Sequence, residues 1–167
     1  MEQAFRLKEL AGDMSVLYVE DEKAIREETA EFLKKFFLTV DTAKNGKEGV
    51  ELFERHRHDI VITDIVMPVM EGEDMMVEMR AIDPNIPIII ISAYDFSDFL
   101  VPKFPKGANA FIKKPATYTD LVKTLCDLIA TVKQKDDTVS VLKKHINTLE
   151  EKIEVLEEKL SKLESKV

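Results

Sequence analysis

The stretch DIVITDIVMPVMEG, residues 59–72, decides the fold of this chain. Asp59 to Thr63 form a short, largely apolar run, which is typical of a strand buried on both faces of a parallel sheet. The run ends at Asp64, so this carboxylate lies at the carboxyl end of the strand, where open α/β sheets bind their ligands. Pro68 and Gly72 then break regular structure before the next helix. Taken alone, Asp64 also fits a helix cap or a turn residue.

Three further apolar runs also end in polar residues. Val16 to Val19 leads into two acids, Ile88 to Ile91 leads into a serine, and Ala110 to Ile112 leads into two lysines. In a parallel sheet these strand ends lie along one edge, which brings together the side chains of Glu20, Asp21, Asp64, Ser92 and Lys114. Three acids that close repel one another unless a cation lies among them, and oxygen ligands of this kind suit Mg²⁺.

Helices are predicted between these strands. Apolar residues recur at helical spacing over Lys23–Phe37, Lys47–His56 and Glu73–Ile82. Strands that alternate with helices predict an α/β fold with right-handed crossovers, and five strands favour a doubly wound, flavodoxin-like parallel sheet of order 2-1-3-4-5. Pro102 and Pro105 follow the fourth strand. Because proline inside a helix costs about 3 kcal/mol or more, we expect at most a short helix there, over residues 96–101.

The order and spacing of these residues resemble a known family, the receiver domains of bacterial two-component response regulators. The resemblance covers Met14 to Val132. It rests on Glu20-Asp21, Asp64 followed by Met67-Pro68 and Gly72, Ser92-Ala93, Phe111, and Lys114-Pro115. It implies that Asp64 is the nucleophile that accepts a phosphoryl group from a histidine kinase. It also implies that the chain is not an enzyme beyond assisting its own phosphorylation and dephosphorylation.

The resemblance also implies a role for each neighbour of Asp64. Mg²⁺ would be held by Glu20, Asp21, Asp64 and the backbone carbonyl of Val66. Lys114 would pair with one phosphoryl oxygen, and Ser92 would donate a hydrogen bond to another as its loop moves inward. Phe111 would stand at the aromatic position that changes rotamer with this movement, and it must act through packing because it lacks a hydroxyl. A cis peptide before Pro115 would aim the Lys114 ammonium inward.

The C-terminal stretch carries a heptad repeat, which predicts a coiled coil. Apolar residues follow one another at alternating steps of 3 and 4, at Val139, Leu142, Ile146, Leu149, Ile153, Leu156, Leu160, Leu163 and Val167. Mostly β-branched residues at a, with leucine at d, favour a parallel dimer. A parallel pair sets Lys152 against Glu157 of the other helix, and Lys159 against Glu164, whereas an antiparallel pair brings like charges together. A single solvated amphipathic helix is the alternative interpretation.

The heptad also extends backward through the last helix of the predicted domain. Its positions there are occupied by Tyr118, Leu121, Leu125, Leu128 and Val132, and Lys135 interrupts it. A second apolar stripe lies beside the first, at Val122, Cys126 and Ile129. Together the two stripes form an apolar face that is too wide for a single packing contact. We expect one part of this face to pack on the sheet and the other to meet the same helix of a second copy.

Length and composition limit the remaining choices. The 167 residues accommodate a lead segment over 1–13, a receiver domain over 14–132 and a coiled-coil helix over 133–167. The net charge of −8 argues against direct nucleic-acid binding. No apolar run approaches the roughly 20 residues that a membrane span requires, which predicts a cytoplasmic protein without membrane contact. Cys126, the single cysteine, excludes a disulfide framework and is expected in the core.

The predicted function is that of a phosphorylation-operated switch. Phosphorylation of Asp64 would be transmitted through a parallel homodimeric coil to an output domain beyond Val167, such as a diguanylate cyclase, a histidine kinase or a transcription regulator. A constitutive dimerisation module, or a stand-alone phosphorelay receiver without enzymatic output, is the alternative. A haloacid-dehalogenase-like phosphatase fits less well, because such enzymes carry Asp-x-Asp at the first strand, whereas Asp64 follows the third strand and precedes Ile65-Val66.

Overall fold

A computed structural model describes residues 2–93 and 107–164 of the chain. The helices are α1 (Glu2–Ala11), α2 (Lys23–Leu33), α3 (Gly46–His56), α4 (Gly72–Ile82) and α5 (Tyr118–Glu164). The strands are β1 (Ser15–Val19), β2 (Thr39–Ala43), β3 (Ile60–Thr63), β4 (Ile88–Ser92) and β5 (Ala110–Lys113). The chain divides into two units, the first over Met1–Ala130 and the second beginning at Thr131.

The five strands form one parallel sheet of order β2-β1-β3-β4-β5, which confirms the predicted fold. Every residue of β3 and β4 is buried, as their continuous apolar sequences predict. Side chains of β1 alternate between the two faces. Val16 and Tyr18 pack with residues of α1, α2 and α5, whereas Leu17 and Val19 pack with residues of α3 and α4. Helices therefore cover both faces of the sheet.

The N-terminal residues form an additional helix where we assigned no packing. Leu7 and Ala11 of α1 are fully buried, in the same cluster as Leu125 and Cys126 of α5. The Sγ of Cys126 lies 3.5 Å from the carbonyl oxygen of Gln3. Sequence reasoning did not predict this packing, because the burial of Leu7 and Ala11 depends on a partner surface far along the chain.

The wide apolar face of α5 packs within its own unit over the first turns of the helix. Leu121 and Leu125, which lie on the heptad stripe, are buried in the core of the same unit. Tyr118 stacks on Phe32 of α2, with the ring centroids 4.0 Å apart and 13° between the ring planes. Both apolar stripes of this part of α5 are therefore used within one chain.

The second unit carries the heptad positions of α5 in helical conformation. Six of the predicted dimerisation residues have about half of their surface exposed in the single chain: Val139, Leu142, Ile146, Leu149, Ile153 and Leu156. The side chains of Leu160 and Leu163, which were predicted with them, lie outside the described residues. The same holds for the expected short helix over residues 96–101 and for Pro102 and Pro105.

The end of α2 differs in detail from the predicted one. Helix α2 ends at Leu33 rather than at Phe37, and the backbone N–H groups of Phe36 and Phe37 then bond to the Leu33 carbonyl at 2.9 and 3.1 Å. This turn buries both phenylalanines before β2 begins. Helix α3 ends at His56 as predicted. His58 lies beyond the helix as a buried residue, with its Nε2 2.8 Å from Asp41 Oδ2.

Within the described part of the chain, no helix is both long and apolar enough to cross a membrane.

Candidate functional site

Parallel pairing brings the predicted strand ends to one edge of the sheet. Val19 of β1 pairs with Thr63 of β3, so that Glu20 and Asp64 both follow at the same level. The Asp64 N–H donates to the Val19 carbonyl at 3.1 Å. On the other side, Ser92 pairs with Lys113, and the Lys114 N–H donates to the Ser92 carbonyl at 2.7 Å. Strand register therefore brings Glu20, Asp64, Ser92 and Lys114 to one edge. The predicted close approach of three acids, Glu20, Asp21 and Asp64, is not found among the described residues.

Asp64 is held by a different donor at each carboxylate oxygen. Oδ1 accepts a hydrogen bond from the Ile65 N–H at 2.6 Å, and Oδ2 accepts one from Lys114 Nζ at 2.5 Å. The residue is 9% exposed. The orientation of the Asp64 carboxylate is therefore already fixed, which is what an attacking nucleophile requires.

The loop after Asp64 folds back so closely that it requires glycine at position 72. The Gly72 N–H donates to the Ile65 carbonyl at 2.8 Å. A Cβ at this position would overlap the Asp64 carbonyl oxygen. The same loop is tied to α3, because the Gly46 N–H donates to the Met70 carbonyl at 3.1 Å. Gly72, singled out only as a breaker in the sequence, thus fixes the backbone of the candidate nucleophile.

Lys114 connects two acids at the sheet edge. Its Nζ lies 2.5 Å from Asp64 Oδ2 and 3.1 Å from Glu20 Oε2. The peptide between Lys114 and Pro115 is cis, as the resemblance implied. Burial alone would lower the pKa of Lys114, but its hydrogen bonds and charge interactions with Asp64 and Glu20 together raise it. The ammonium is therefore charged at neutral pH and faces the candidate nucleophile.

Glu20 is almost completely buried, with 1% of its surface exposed. Burial raises the pKa of Glu20, the Lys114 ammonium opposes this rise, and the Asp64 charge adds to it, so the net direction is upward. Its Oε2 also accepts a hydrogen bond from the Tyr18 hydroxyl at 3.3 Å. Within the described part of the chain, the two buried carboxylates Glu20 and Asp64 thus share the Lys114 ammonium, and two negative charges face one positive charge in these contacts.

The remaining predicted metal ligands lie at the rim of the edge. Asp21 and Val66 are exposed. Arg26 Nη1 donates to the backbone carbonyls of Glu20 and Asp21 at 2.6 and 3.0 Å, which fixes the turn after β1. Sequence reasoning did not select Arg26, although an arginine one helical turn beyond two acids at a strand end was available as a signal.

The donor set fits Mg²⁺ by its chemistry. Among residues 2–93 and 107–164, no three His, Cys, Asp or Glu side chains are close enough together to hold a metal ion by themselves. Magnesium does not require such a cluster, because it keeps several waters and takes one or two carboxylates plus phosphate oxygens. The negative charge of Glu20 and Asp64 and the all-oxygen character of the edge are both suited to that ion.

The two predicted switch residues lie on neighbouring strands. Ser92 ends β4 and is 1% exposed, and Phe111 of β5 pairs with Ile90 of β4. Phe111 is half-buried against the same cluster as Ile88 and Ile90. The structure thus places Ser92 next to Lys114 in the edge, and Phe111 on the sheet face that α3 and α4 cover.

Comparison with known proteins identifies the family. The model of the response regulator receiver domain matches residues 16–126, which is more than half of the chain. The protein therefore belongs to the response regulator receiver domains of two-component signalling.

Solved structures agree with this assignment. The N-terminal domain of an uncharacterized protein from Wolinella succinogenes is 31% identical, with a TM-score of 0.65 over 74% of this chain and 98% of that one. A response regulator receiver domain protein from Clostridium thermocellum is 29% identical, with a TM-score of 0.64 over 72% and 98% of the two chains. A CheX–CheY complex with BeF3 and Mg from Borrelia burgdorferi is 32% identical, with a TM-score of 0.56 over 66% and 84%.

Curated relatives are longer proteins of several kinds. A cyclic di-GMP phosphodiesterase of Thermotoga maritima is 34% identical over 61% of this chain and 27% of its own length. The sensor kinase CckA of Brucella abortus is 35% identical over 70% and 13%. The transcriptional regulatory protein PdtaR of Mycobacterium tuberculosis is 35% identical over 66% and 54%. The chain thus spans about half the length of these relatives or less.

Proposed function

We propose that the protein is a phosphorylation-operated switch in which Asp64 accepts a phosphoryl group from a histidine kinase. The observation that supports this most directly is the arrangement of the Asp64 carboxylate, with one oxygen held by a backbone N–H and the other by Lys114. The family assignment supports the same reaction, since phosphoryl transfer relies on positioning and charge stabilisation more than on covalent chemistry by the protein.

The transfer step follows from these groups. An Asp64 carboxylate oxygen forms a bond to phosphorus while the bond between phosphorus and the imidazole nitrogen of the donor breaks, and the imidazole keeps the electron pair of that bond. Lys114 moves from Asp64 Oδ2 to a phosphoryl oxygen, where its positive charge offsets charge that develops in the transition state. Ser92 donates a hydrogen bond to another phosphoryl oxygen.

Magnesium is the cofactor of this proposal. Glu20, Asp21, Asp64 and the Val66 carbonyl would hold it, and when bound it would neutralise charge on the phosphoryl oxygens. The movement of Ser92 toward the phosphoryl group would be accompanied by repacking of Phe111 on the adjacent strand.

The half-exposed heptad of α5 supports a parallel homodimer as the form that transmits the signal. Buried a and d side chains contribute roughly 1.5–3 kcal/mol each, against association costs of about 4–15 kcal/mol. In this proposal the chain has no enzymatic activity of its own, acts in the cytoplasm and makes no contact with nucleic acid. Its output belongs to a further domain, of a kind that the relatives carry in their names: a phosphodiesterase, a kinase or a transcription regulator.

Labelling with a small phosphodonor tests the site. Purified protein is incubated with acetyl phosphate and Mg²⁺, and the phosphorylated fraction is measured by intact mass. Wild type should gain one phosphoryl group and Asp64→Asn none. Asp74→Asn, which changes an exposed aspartate in the first turn of α4, is the matched control and should label like wild type. Undiminished labelling of Asp64→Asn would refute the assignment.

A further inference from the structure

We propose that Tyr18 is a positioning residue of the candidate site and that, through Thr29 and Tyr118, it connects the Glu20–Lys114 pair to the first turn of α5. This inference rests on the proposed function. It assigns a role to a buried hydroxyl that the phosphoryl-transfer step does not use. The connection lies on the face of the sheet that packs against α1, α2 and α5, whereas Phe111 packs in the cluster on the other face.

The first link joins Tyr18 to the charged edge. Tyr18 is the penultimate residue of β1, with 2% of its surface exposed, and its ring is part of the apolar cluster beneath α2 and α5. Its hydroxyl donates to Glu20 Oε2 at 3.3 Å, and the same oxygen accepts from Lys114 Nζ at 3.1 Å. When Lys114 moves to a phosphoryl oxygen, the Tyr18 hydroxyl remains as the donor that keeps this carboxylate oriented.

The second link joins Tyr18 to α5 through Thr29 of α2. Burial and the Glu20 charge raise the pKa of Tyr18, and a hydrogen bond from the Thr29 hydroxyl opposes that rise. Burial and a hydrogen bond to Glu28 raise the pKa of Tyr118, and the Thr29 hydroxyl opposes this rise too. Tyr18, Thr29 and Tyr118 line the same cavity, and the Thr29 hydroxyl has a single proton to donate to one phenol oxygen at a time.

The third link fixes Tyr118, the first residue of α5. Its hydroxyl donates to Glu28 Oε1 at 2.9 Å, and its ring stacks on Phe32. Thr117 and Asp120 form a capping box at this helix start, with each backbone N–H bonded to the other residue's side chain, at 3.0 and 3.2 Å. A change at Tyr118 is therefore passed to a rigid helix end.

A cavity beside these hydroxyls provides space for such a change. It has a volume of about 520 Å³ and is lined by Tyr18, Glu28, Thr29, Lys114, Tyr118 and Leu121, among others. Side chains that border open space can change hydrogen-bond partners without forcing the close-packed core to move. The hydroxyl groups of Tyr18, Thr29 and Tyr118 therefore have room to change hydrogen-bond partners, which side chains fixed in a close-packed core do not have.

Tyr18→Phe removes the hydroxyl and keeps the ring, so that a merely structural role predicts no change in the site. If Tyr18 positions Glu20, Mg²⁺ affinity measured by calorimetry should fall by about three- to tenfold, the range that one hydrogen bond supplies. Tyr118→Phe interrupts the relay at its far end, and it should leave Mg²⁺ affinity unchanged. Urea unfolding of each variant verifies that the fold is retained.

Hydrogen exchange tests the connection to α5. Beryllofluoride, which stands in for the phosphoryl group on Asp64, is added with Mg²⁺, and amide exchange is followed over residues 117–125. Wild type should change its protection there. Tyr18→Phe and Thr29→Val should lose most of this change, and Thr29→Ser, which keeps the hydroxyl, should restore it. The two Thr29 variants decide the question if Tyr18→Phe does not fold.

The outcomes separate this inference from the proposed function. Formation of the beryllofluoride adduct is read independently by fluorine NMR. If wild type forms no adduct, the proposed function fails. If wild type forms the adduct and the variants without a hydroxyl keep both the wild-type Mg²⁺ affinity and the response over residues 117–125, the relay is refuted while Asp64 phosphorylation stands.

Discussion

At the scale of single residues, the site is defined by one ammonium shared between two buried carboxylates. Lys114 contacts both Glu20 and Asp64. Buried acids in this arrangement are destabilising for the fold and favourable for binding a cation. Stability is thus lowered at the place where the proposed cofactor and phosphoryl group bind.

Glu20→Gln should therefore stabilise the protein in the absence of metal. The folded-state pKa of Glu20 lies above its ordinary value of 4.5. Folding is therefore favoured while Glu20 is protonated, at pH values below 4.5. This stabilisation is lost as the pH rises through the folded-state pKa of Glu20 and the buried side chain ionises. We expect a gain on the order of 1 kcal/mol in the free energy of unfolding at pH 7, which disappears below about pH 4.

Urea unfolding at several pH values, with EDTA and then with Mg²⁺, measures this effect. Magnesium should stabilise wild type more than Glu20→Gln, since the variant lacks a proposed ligand. Glu22→Gln, at an exposed position two residues away, is the control and should change neither quantity. A loss of stability in Glu20→Gln at pH 7 would contradict the charge arrangement described here.

At the scale of elements, the loop between β3 and α4 carries backbone strain beside Asp64. Val69 is 79% exposed and has a φ of 72°. The Met70 N–H donates to the Pro68 carbonyl at 2.8 Å, which closes a three-residue turn around Val69. A β-branched residue in this conformation is a genuine outlier, and such outliers occur preferentially at functional loops.

Val69→Asn should relieve this strain, because asparagine tolerates positive φ. The free energy of unfolding should rise by about 1 kcal/mol. The control is Val66→Asn, which changes another exposed valine of the same loop outside the positive-φ region and should bring no gain. Chemical denaturation of the three proteins gives the comparison, and equal stability changes in the two variants would argue against strain at Val69.

The elements also show what sequence alone could predict. The strands and the site edge were predictable, because continuous apolar runs such as Ile88–Ile91 and a polar residue at each run's end are local features. The packing of α1 and the Tyr18–Glu20 hydrogen bond were not, since both depend on contacts between distant segments. The positive φ of Val69 was missed for a different reason: valine normally argues against such a conformation.

At the scale of the whole molecule, the position of α1 limits where a dimer seam can begin. Leu121 and Leu125 are covered within their own chain. The heptad positions from Val139 to Leu156 are half-exposed in the single chain. The predicted coil therefore involves the second unit of the chain, with the apolar face of the first turns of α5 already in use.

Leu149→Lys should shift the protein from dimer toward monomer. Leu149 occupies a d position, where a parallel coil would bury the introduced charge. Val141→Lys is the matched control, because Val141 is 52% exposed, close to the 57% of Leu149, but lies off the predicted seam. Light scattering at micromolar concentration should report a dimer for wild type and for Val141→Lys. A wild-type monomer would support the single-helix alternative instead.

Locating the phosphoryl group shows whether Asp64 is the residue that is phosphorylated. After reaction with acetyl phosphate and Mg²⁺, borohydride reduces an aspartyl phosphate to homoserine, which marks the modified position for peptide mass spectrometry. We predict homoserine at position 64, dependent on Mg²⁺ and absent from Asp64→Asn. Modification at another aspartate, or none at 64 in a folded wild-type protein that has been given both reagents, would contradict this prediction.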